Sequence, residues 1–197
     1  MIKKYSSRIG KIDEKIFRDN ALWTLSIPLG NLIEVSGVIL SIILLYWSNT
    51  LNSTPSKWLM TLASVFLFSA TIHPLAHYIV GKLFGIKFIF YFLNGPLKIE
   101  PTIKTDYASY LRASPKKRVM LHLSGGIATS LSPILMLIVS NLIGLSLPYF
   151  IFGGLFLFFI STEFIPLLLI KIGSPKIIGL DFRKSDSYRA MREWNLI

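Results

Sequence analysis

The chain has 197 residues, of which 52% are hydrophobic and only 16% are charged, and its mean hydropathy is +0.58. Soluble domains seldom combine so much apolar sequence with so little charge, so the composition argues against a soluble protein and predicts one that lies in a membrane. The absence of cysteine excludes disulfides and thiolate metal sites.

Residues 1–20 form a basic segment that precedes the apolar part of the chain. The segment has no immediate apolar core and no small-residue cleavage site, so it does not have the pattern of a signal peptide. Its apolar residues recur with helical spacing, which indicates an amphipathic helix that lies on the membrane surface. The predicted apolar face consists of Ile2, Ile9, Ile12, Ile16 and Phe17.

Residues 21–171 contain four apolar runs, each close to the ~20 residues that a bilayer-spanning helix requires. From Val119 to Thr162 there is no Asp, Glu, Lys or Arg, which leaves room for two helices, and Gly144 to Pro148 supplies a break between them. We therefore predict an all-α membrane protein with four transmembrane helices and a small β-hairpin insertion. The predicted spans are Pro28 to Trp47, Trp58 to Val80, Val119 to Ile143 and Tyr149 to Ile170.

The net charge of +11 is concentrated outside these spans. Residues 1–20 contain six Lys or Arg, the loop 82–118 contains eight, and the tail from Lys171 contains six, whereas the connection between the third and fourth spans contains none. Because basic loops stay on the cytoplasmic side, we expect a multi-pass protein with both termini and this loop in the cytoplasm. Contact with anionic lipids of the bilayer accounts for the charge, and no nucleic-acid motif accompanies it.

Short structured elements are predicted outside the membrane as well. Ile86 to Leu93 is rich in aromatic and β-branched residues, and the sequence "NGP" follows it, which indicates a strand, a turn and a hairpin completed by residues 97–103. The tail, residues 172–197, begins as a loop and continues as a short helix with Ser185 as its N-cap.

Two histidines four residues apart, His73 and His77, interrupt the second span. Residues at i and i+4 lie on one face of a helix, so both imidazoles can reach one metal ion. A zinc site needs a third protein ligand near the same end of the spans. The topology leaves His122, Asp181 and Asp186 as candidates, and it does not choose among them. Two further acids lie within spans, namely Glu34 and Glu163.

Five motifs follow one another from the second span to the tail: "HPLAHYIVGKLFGIK" from His73, "FLNGP" from Phe92, "RVMLHLSGGIATS" from Arg118, "EFIP" from Glu163 and "KSDSYRAM" from Lys184. In this order they resemble the site-2 protease family of intramembrane zinc metalloproteases over about residues 60–192. That family has an HExGH helix, an FGP-like turn, a GPxxN helix start, an NLxP segment and an Asp that is followed by Gly.

The resemblance implies that Zn²⁺ is held by His73, His77 and Asp186. It also implies that the strand at residues 88–93 is an edge strand, which pairs with an unwound segment of a membrane protein that is a substrate or client. The positions that would contact this segment are Phe90, Phe92, Asn94 and Gly95. The alternative interpretation of this strand is a short structural hairpin. The small residues Gly125, Gly126 and Thr129 are interpreted instead as allowing close helix packing.

Two departures from the family pattern affect the predicted activity. Pro74 occupies the position of the general-base Glu; it cannot accept a proton, and it predicts a kink or local unwinding of the helix. Glu163 replaces an Asn, and its carboxylate is a displaced base, an interior hydrogen-bonded group or an extra ligand. Three hypotheses follow: a zinc-holding, protease-like protein without conventional hydrolysis that binds membrane segments, an active intramembrane protease that uses Glu163, and a non-enzymatic scaffold or transporter.

Overall fold

The structure, a computed structural model, describes residues 2–21, 23–94, 100–145, 149–174, 176–177, 180–181, 183 and 185–194. Within these residues the chain forms seven helices and five strands. The helices are α1 (Ile2–Asn20), α2 (Ile27–Ser48), α3 (Thr54–Leu83), α4 (Tyr107–Arg112), α5 (Pro115–Leu142), α6 (Tyr149–Lys171) and α7 (Asp186–Glu193). The strands are β1 (Thr24–Leu25), β2 (Phe88–Asn94), β3 (Glu100–Thr105), β4 (Lys176–Ile177) and β5 (Leu180–Asp181).

Four of the described helices, α2, α3, α5 and α6, are long and apolar enough to cross a membrane. They contain the four predicted spans, so the prediction of an all-α, multi-pass membrane protein with a small sheet is confirmed. Local sequence explains where they begin and end. A serine N-cap and a proline in the first turn start α2, α3 and α5, where the missing proline N–H costs nothing. Gly85 and Gly144, both with positive φ, follow α3 and α5.

The four spans share one apolar core to which each of them contributes. Leu45 of α2, Val65 of α3, Met136 of α5 and Phe152 of α6 belong to the same buried cluster. Within the bundle α3 packs against both α2 and α5, and α5 also packs against α6 and α7. The second and third spans are therefore central to the fold.

Hydroxyl side chains connect the spans inside this bundle. Ser64 of α3 donates a hydrogen bond of 2.6 Å to the carbonyl of Ser41 on α2, and Ser69 of α3 is hydrogen-bonded to Ser132 of α5. All four of these residues are buried. Small hydroxyl residues let helix backbones approach closely and satisfy their own polar groups across the interface, which is a common way of packing membrane helices.

The predicted hairpin is present, because β2 pairs antiparallel with β3 from Phe88↔Thr105 to Asn94↔Glu100. The prediction that β2 is an edge strand is wrong. The two-residue strand β1 pairs with its other side at Tyr91 and Phe92, so that the sheet order is β1-β2-β3. The physical reason is that the ring of Tyr91 rests on Gly30 of α2, and its hydroxyl donates 2.7 Å to Asn31 Oδ1. These contacts hold the segment before α2 alongside β2.

The first 20 residues are helical, as predicted, and α1 packs against α4 with Gly10 facing Ala108. Ile9, Ile12 and Ile16 remain exposed on one face of α1. Phe17 departs from the predicted face because its ring packs on the sheet, 4.6 Å from Phe92 and 6.1 Å from Phe90 between centroids. The side chain of Ile2 lies outside the described residues.

The contact between Gly30 and Tyr91 gives a test of how the sheet is attached to the spans. We expect Gly30→Ala to lower stability by about 1–3 kcal/mol, because the added Cβ would overlap the buried Tyr91 ring. Thermal unfolding in detergent at one fixed scan rate measures the effect. Gly154→Ala in α6 is the matched control, because nothing lies within 4 Å of a Cβ at that position. Equal melting temperatures for the two variants would contradict this packing.

Candidate metal centre

His73, His77 and Asp186 meet at one point, although Asp186 follows His77 by 109 residues. The Oδ2 atom of Asp186 lies 3.0 Å from His77 Nε2 and 3.2 Å from His73 Nε2, and the two Nε2 atoms are 3.2 Å apart. The histidines share one face of α3, and Asp186 is the first residue of α7. The donor atoms thus form a nearly equilateral triangle.

The position of Asp186 follows from the way α7 begins. Ser185 caps the helix by accepting a hydrogen bond from the backbone N–H of Tyr188, as the sequence predicts. The next residue, Ser187, is buried and donates to Glu163 Oε2 at 2.7 Å, which ties α7 to α6. Asp186 is therefore held in place by the residues on either side of it, because Ser185 caps the helix and Ser187 is hydrogen-bonded to Glu163.

The ring of His77 is oriented by a backbone carbonyl. Its Nδ1 lies 2.7 Å from the oxygen of Leu121, which can only accept a hydrogen bond, so Nδ1 carries a proton. In the neutral imidazole Nε2 then has the free lone pair that faces Asp186. His73 is held similarly, because its Nδ1 lies 2.9 Å from Thr129 Oγ1. Metal-ligating histidines characteristically hydrogen-bond through their other ring nitrogen in this way.

Three electron-rich atoms at these separations require positive charge among them, either as protons on the imidazoles or as a metal ion. In a tetrahedral zinc site with bonds of about 2.0–2.2 Å, neighbouring ligand atoms are roughly 3.3 Å apart. The observed separations of 3.0 to 3.2 Å are close to that value. The three side chains are partly buried, and together they can hold a metal ion.

Adjacent glycines on α5 make room for this arrangement. A Cβ on Gly125 would overlap His77 Nε2 and would lie 2.7 Å from His73 Nε2, and a Cβ on Gly126 would lie 2.8 Å from the Glu163 carboxylate. The expectation that these glycines allow close packing is confirmed. The pair also brings the α6 carboxylate next to the histidine face, although Glu163 does not belong to the three-residue group.

His122 does not join the triad, but it lies behind Asp186. Its Nδ1 is 3.9 Å from Asp186 Oδ1, and its Nε2 is 2.8 Å from the hydroxyl oxygen of Tyr110. The Tyr110 hydroxyl donates to Glu193 Oε1 at 2.8 Å, and Glu193 Oε2 is 3.1 Å from Arg118 Nε. This chain of contacts connects the end of α7 with α4 and α5.

The surroundings favour an ionised Asp186. Burial alone would raise the pKa of this carboxyl. When the imidazoles are protonated, the charge of His77 and the contacts of Asp186 Oδ2 with His77 and His73 outweigh burial and hold the pKa well below its usual 3.8. The pKa of Tyr110 is raised, chiefly by burial and then by its hydrogen bond to Glu193, so Tyr110 remains a neutral donor.

The other predicted residues lie in different surroundings. Pro74 is buried, and α3 continues through it without the local unwinding that was one of the two expectations. Glu34 is also buried, on α2. Asp181 lies in β5, and its side chain is outside the described residues.

The four predicted substrate-contacting positions belong to β2 and the turn after it. Phe90 is only 2% exposed, and Phe92 is half-buried against Phe17 of α1. The backbone of Asn94 ends β2, while its side chain and the whole of Gly95 lie outside the described residues. Of the four positions, Phe90 and Phe92 thus have their side chains in aromatic contact with Phe17 of α1.

Gly125 gives a test of the site geometry that leaves all three ligands in place. We expect Gly125→Ala to weaken binding of a divalent ion at least about tenfold, because the new methyl group would overlap both imidazoles. Equilibrium dialysis of the purified protein against zinc measures the change. Gly154→Ala serves again as the control with free space around it. Unchanged affinity in Gly125→Ala would show that the rings do not lie against this glycine.

Comparison of the chain with protein-family models, with curated proteins and with solved structures gives no match.

Proposed function

We propose that this chain is a site-2-protease-like integral membrane protein that holds one Zn²⁺ at His73, His77 and Asp186 and binds a membrane segment of another protein without conventional peptide hydrolysis. One observation carries the proposal. The acid that the resemblance selected from the tail lies 3.0 and 3.2 Å from the two Nε2 atoms on α3. Neither the helix spacing nor the topology selected that acid from the other candidates.

We assign zinc from the resemblance, and the ligand set suits it, although two histidines and one carboxylate also hold other divalent ions such as Fe(II). Two imidazole nitrogens and one carboxylate oxygen form the ligand set of many catalytic zinc sites, which leave a fourth position open. Magnesium and calcium prefer ligand sets made of oxygen alone. A zinc ion in such a site supplies Lewis acidity toward a water or a carbonyl group.

The lack of hydrolysis follows from Pro74. A hydrolytic zinc site needs a nearby group that accepts a proton, and the residue after the first histidine is a buried proline with no such group. The ligand-orienting contacts of Thr129 and Leu121 remain. Retained metal ligands without the neighbouring base fit a protein that binds its partner rather than cutting it.

The orientation in the membrane is inferred from charge. The elements α1, the three-stranded sheet, α4 and α7 contact one another or the first turns of α5, so they lie at one end of the four spans. The described basic residues of α1, α4 and α7 and those of the first turn of α5 lie at the same end. From the positive-inside rule we infer that this end, the metal centre and both termini are in or near the cytoplasm.

An active protease with Glu163 as a displaced base is the second candidate. The observation in its favour is that Glu163 lies against Gly126, next to the glycine that contacts both histidines. The observation against this candidate is that the Ser187 hydroxyl already donates a hydrogen bond to the Glu163 carboxylate. The same hydroxyl oxygen lies 3.1 Å from the backbone oxygen of Glu163. We therefore assign Glu163 the role of anchoring α7, and through α7 that of positioning Asp186.

Metal content tests the proposal directly. We expect the full-length protein, purified in detergent, to retain about one zinc per chain. His77→Ala and Asp186→Ala should each remove most of it, because each deletes one of three ligands. Inductively coupled plasma mass spectrometry gives the stoichiometry. Asp19→Ala, which removes an exposed acid of α1, is the matched control and should keep its zinc. An unmutated protein without zinc would leave the scaffold or transporter hypothesis.

Cleavage of a transmembrane reporter distinguishes the first two candidates. We expect reporter cleavage by the unmutated protein to be no greater than that by His77→Ala, because Pro74 supplies no base. The decisive variant is Glu163→Gln, whose amide oxygen can still accept from Ser187 and therefore preserves the anchor. Cleavage that is present in the unmutated protein and lost in Glu163→Gln, with zinc retained, would replace the proposal by the displaced-base mechanism.

A further inference from the structure

A cavity of about 350 Å³ lies outside the metal centre, where α3 ends and α5 begins. We call it the basic cavity and define it by Phe84, Lys87, Arg112, Ser114 and Lys117, which all line it. Its size is that of a small-ligand site. The backbone of Gly85 forms another part of the wall and leaves open space around it.

The three cations of the basic cavity have no acidic partner. Among the described residues, ion pairs engage Arg18, Lys104, Arg118 and Arg189, whereas Lys87, Arg112 and Lys117 form none. Like charges around one cavity repel each other unless an anion lies between them. The charge distribution therefore indicates a negatively charged ligand.

The backbone at the cavity also favours an anion. Ser114 is the N-cap of α5, and its side chain makes no capping hydrogen bond. The first amide groups of an α-helix have no intrahelical acceptor, and the helix dipole adds partial positive charge there. Helix N-termini bind phosphate groups for this reason. At this cavity the N-terminus of α5 adds partial positive charge to that of the three cationic side chains.

The cavity lies at the ends of two candidate membrane spans. Phe84 caps the span α3 and Ser114 caps the span α5, so the cavity is at the boundary between apolar and polar regions. Leu83, the residue before Phe84, is 77% exposed and offers an apolar surface beside the charged one. An amphiphile can place its phosphate in the cavity and its acyl chain along this surface.

We propose that the basic cavity binds a phosphate group, carried by an anionic lipid headgroup or by a free phosphate ion. The bound phosphate would receive charge-assisted hydrogen bonds from Lys87, Arg112 and Lys117 and would face the first turn of α5. Because the cavity joins the ends of α3 and α5, the ligand stabilises the contact between the two central spans. This site does not depend on the metal centre or on the proposed function.

The test uses the full-length protein in detergent and measures its melting temperature with added ligand. One arm adds short-chain phosphatidic acid, a second adds inorganic phosphate, and a third adds sodium chloride at matched ionic strength. We expect phosphatidic acid to raise the melting temperature by several degrees, because a ligand that binds only the folded state stabilises it. A rise with the lipid alone identifies a headgroup site, and an equal rise with phosphate shows that the phosphate group suffices.

Charge-removal variants show whether the effect comes from this cavity. We expect the double variant Arg112→Gln with Lys117→Gln to bind phosphatidic acid roughly tenfold or more weakly, counted as lipid adducts by native mass spectrometry. Lys11→Gln with Lys15→Gln removes two exposed cations of α1 and should leave binding unchanged. The single variant Lys87→Gln removes one of the three cations and should weaken lipid binding by less than the double variant does. The proposal is overturned if neither ligand raises the melting temperature above that of the sodium chloride arm, or if the cavity variant binds phosphatidic acid as tightly as the unmutated protein.

Discussion

The contact of Asp186 with the two imidazoles of α3 is the interaction on which the placement of α7 against the spans depends. Three atoms with lone pairs lie within 3.0 to 3.2 Å of one another, and such a group is stable only with positive charge in its midst. Contacts from α5 and α7 hold the three atoms in this arrangement. The glycine pair on α5 leaves the space, Leu121 and Thr129 orient the rings, and Ser187 fastens the helix that carries the acid.

A second set of polar contacts holds the far end of α7, and it explains why a helix of eight residues can position a ligand. Glu193 accepts from Tyr110 and pairs with Arg118, so the last turn is fixed to α4 and α5 while Ser187 fixes the first turn to α6. This hydrogen bond and this ion pair favour one position of the end of α7. The result is a metal-ligand set without the neighbouring base, since Pro74 is buried beside it. This combination is the basis of our proposal that the protein binds a membrane segment rather than hydrolysing it.

Patterns within short stretches of sequence predicted most of the secondary structure. The uncharged runs predicted the spans, the aromatic stretch before "NGP" predicted the hairpin, and Ser185 predicted the start of α7. Spacing identified the histidine pair, but the residues alone left three candidates for the third ligand, because no local rule reports a contact across 109 residues. The two-residue strand β1 was missed, since only its pairing with β2 defines it, and β2 was wrongly expected to be an edge strand. The hydrogen bonds of Thr129 to His73 and of Tyr110 to His122 were not predicted for the same reason, and Thr129 was interpreted only as a packing residue.

The most direct measurement of the central claim is X-ray absorption at the zinc edge of the purified full-length protein. The account predicts a first shell of nitrogen and oxygen only, with outer-shell scattering from two imidazoles. It also predicts that Asp186→Ala, which loses most of its own zinc and is therefore reloaded with excess zinc for this measurement, shows a changed oxygen part of the shell while both imidazoles stay in place. Scattering from no imidazole or from all three of the chain's histidines, or a shell that is unchanged in Asp186→Ala, would contradict the convergence of α3 and α7 on one ion.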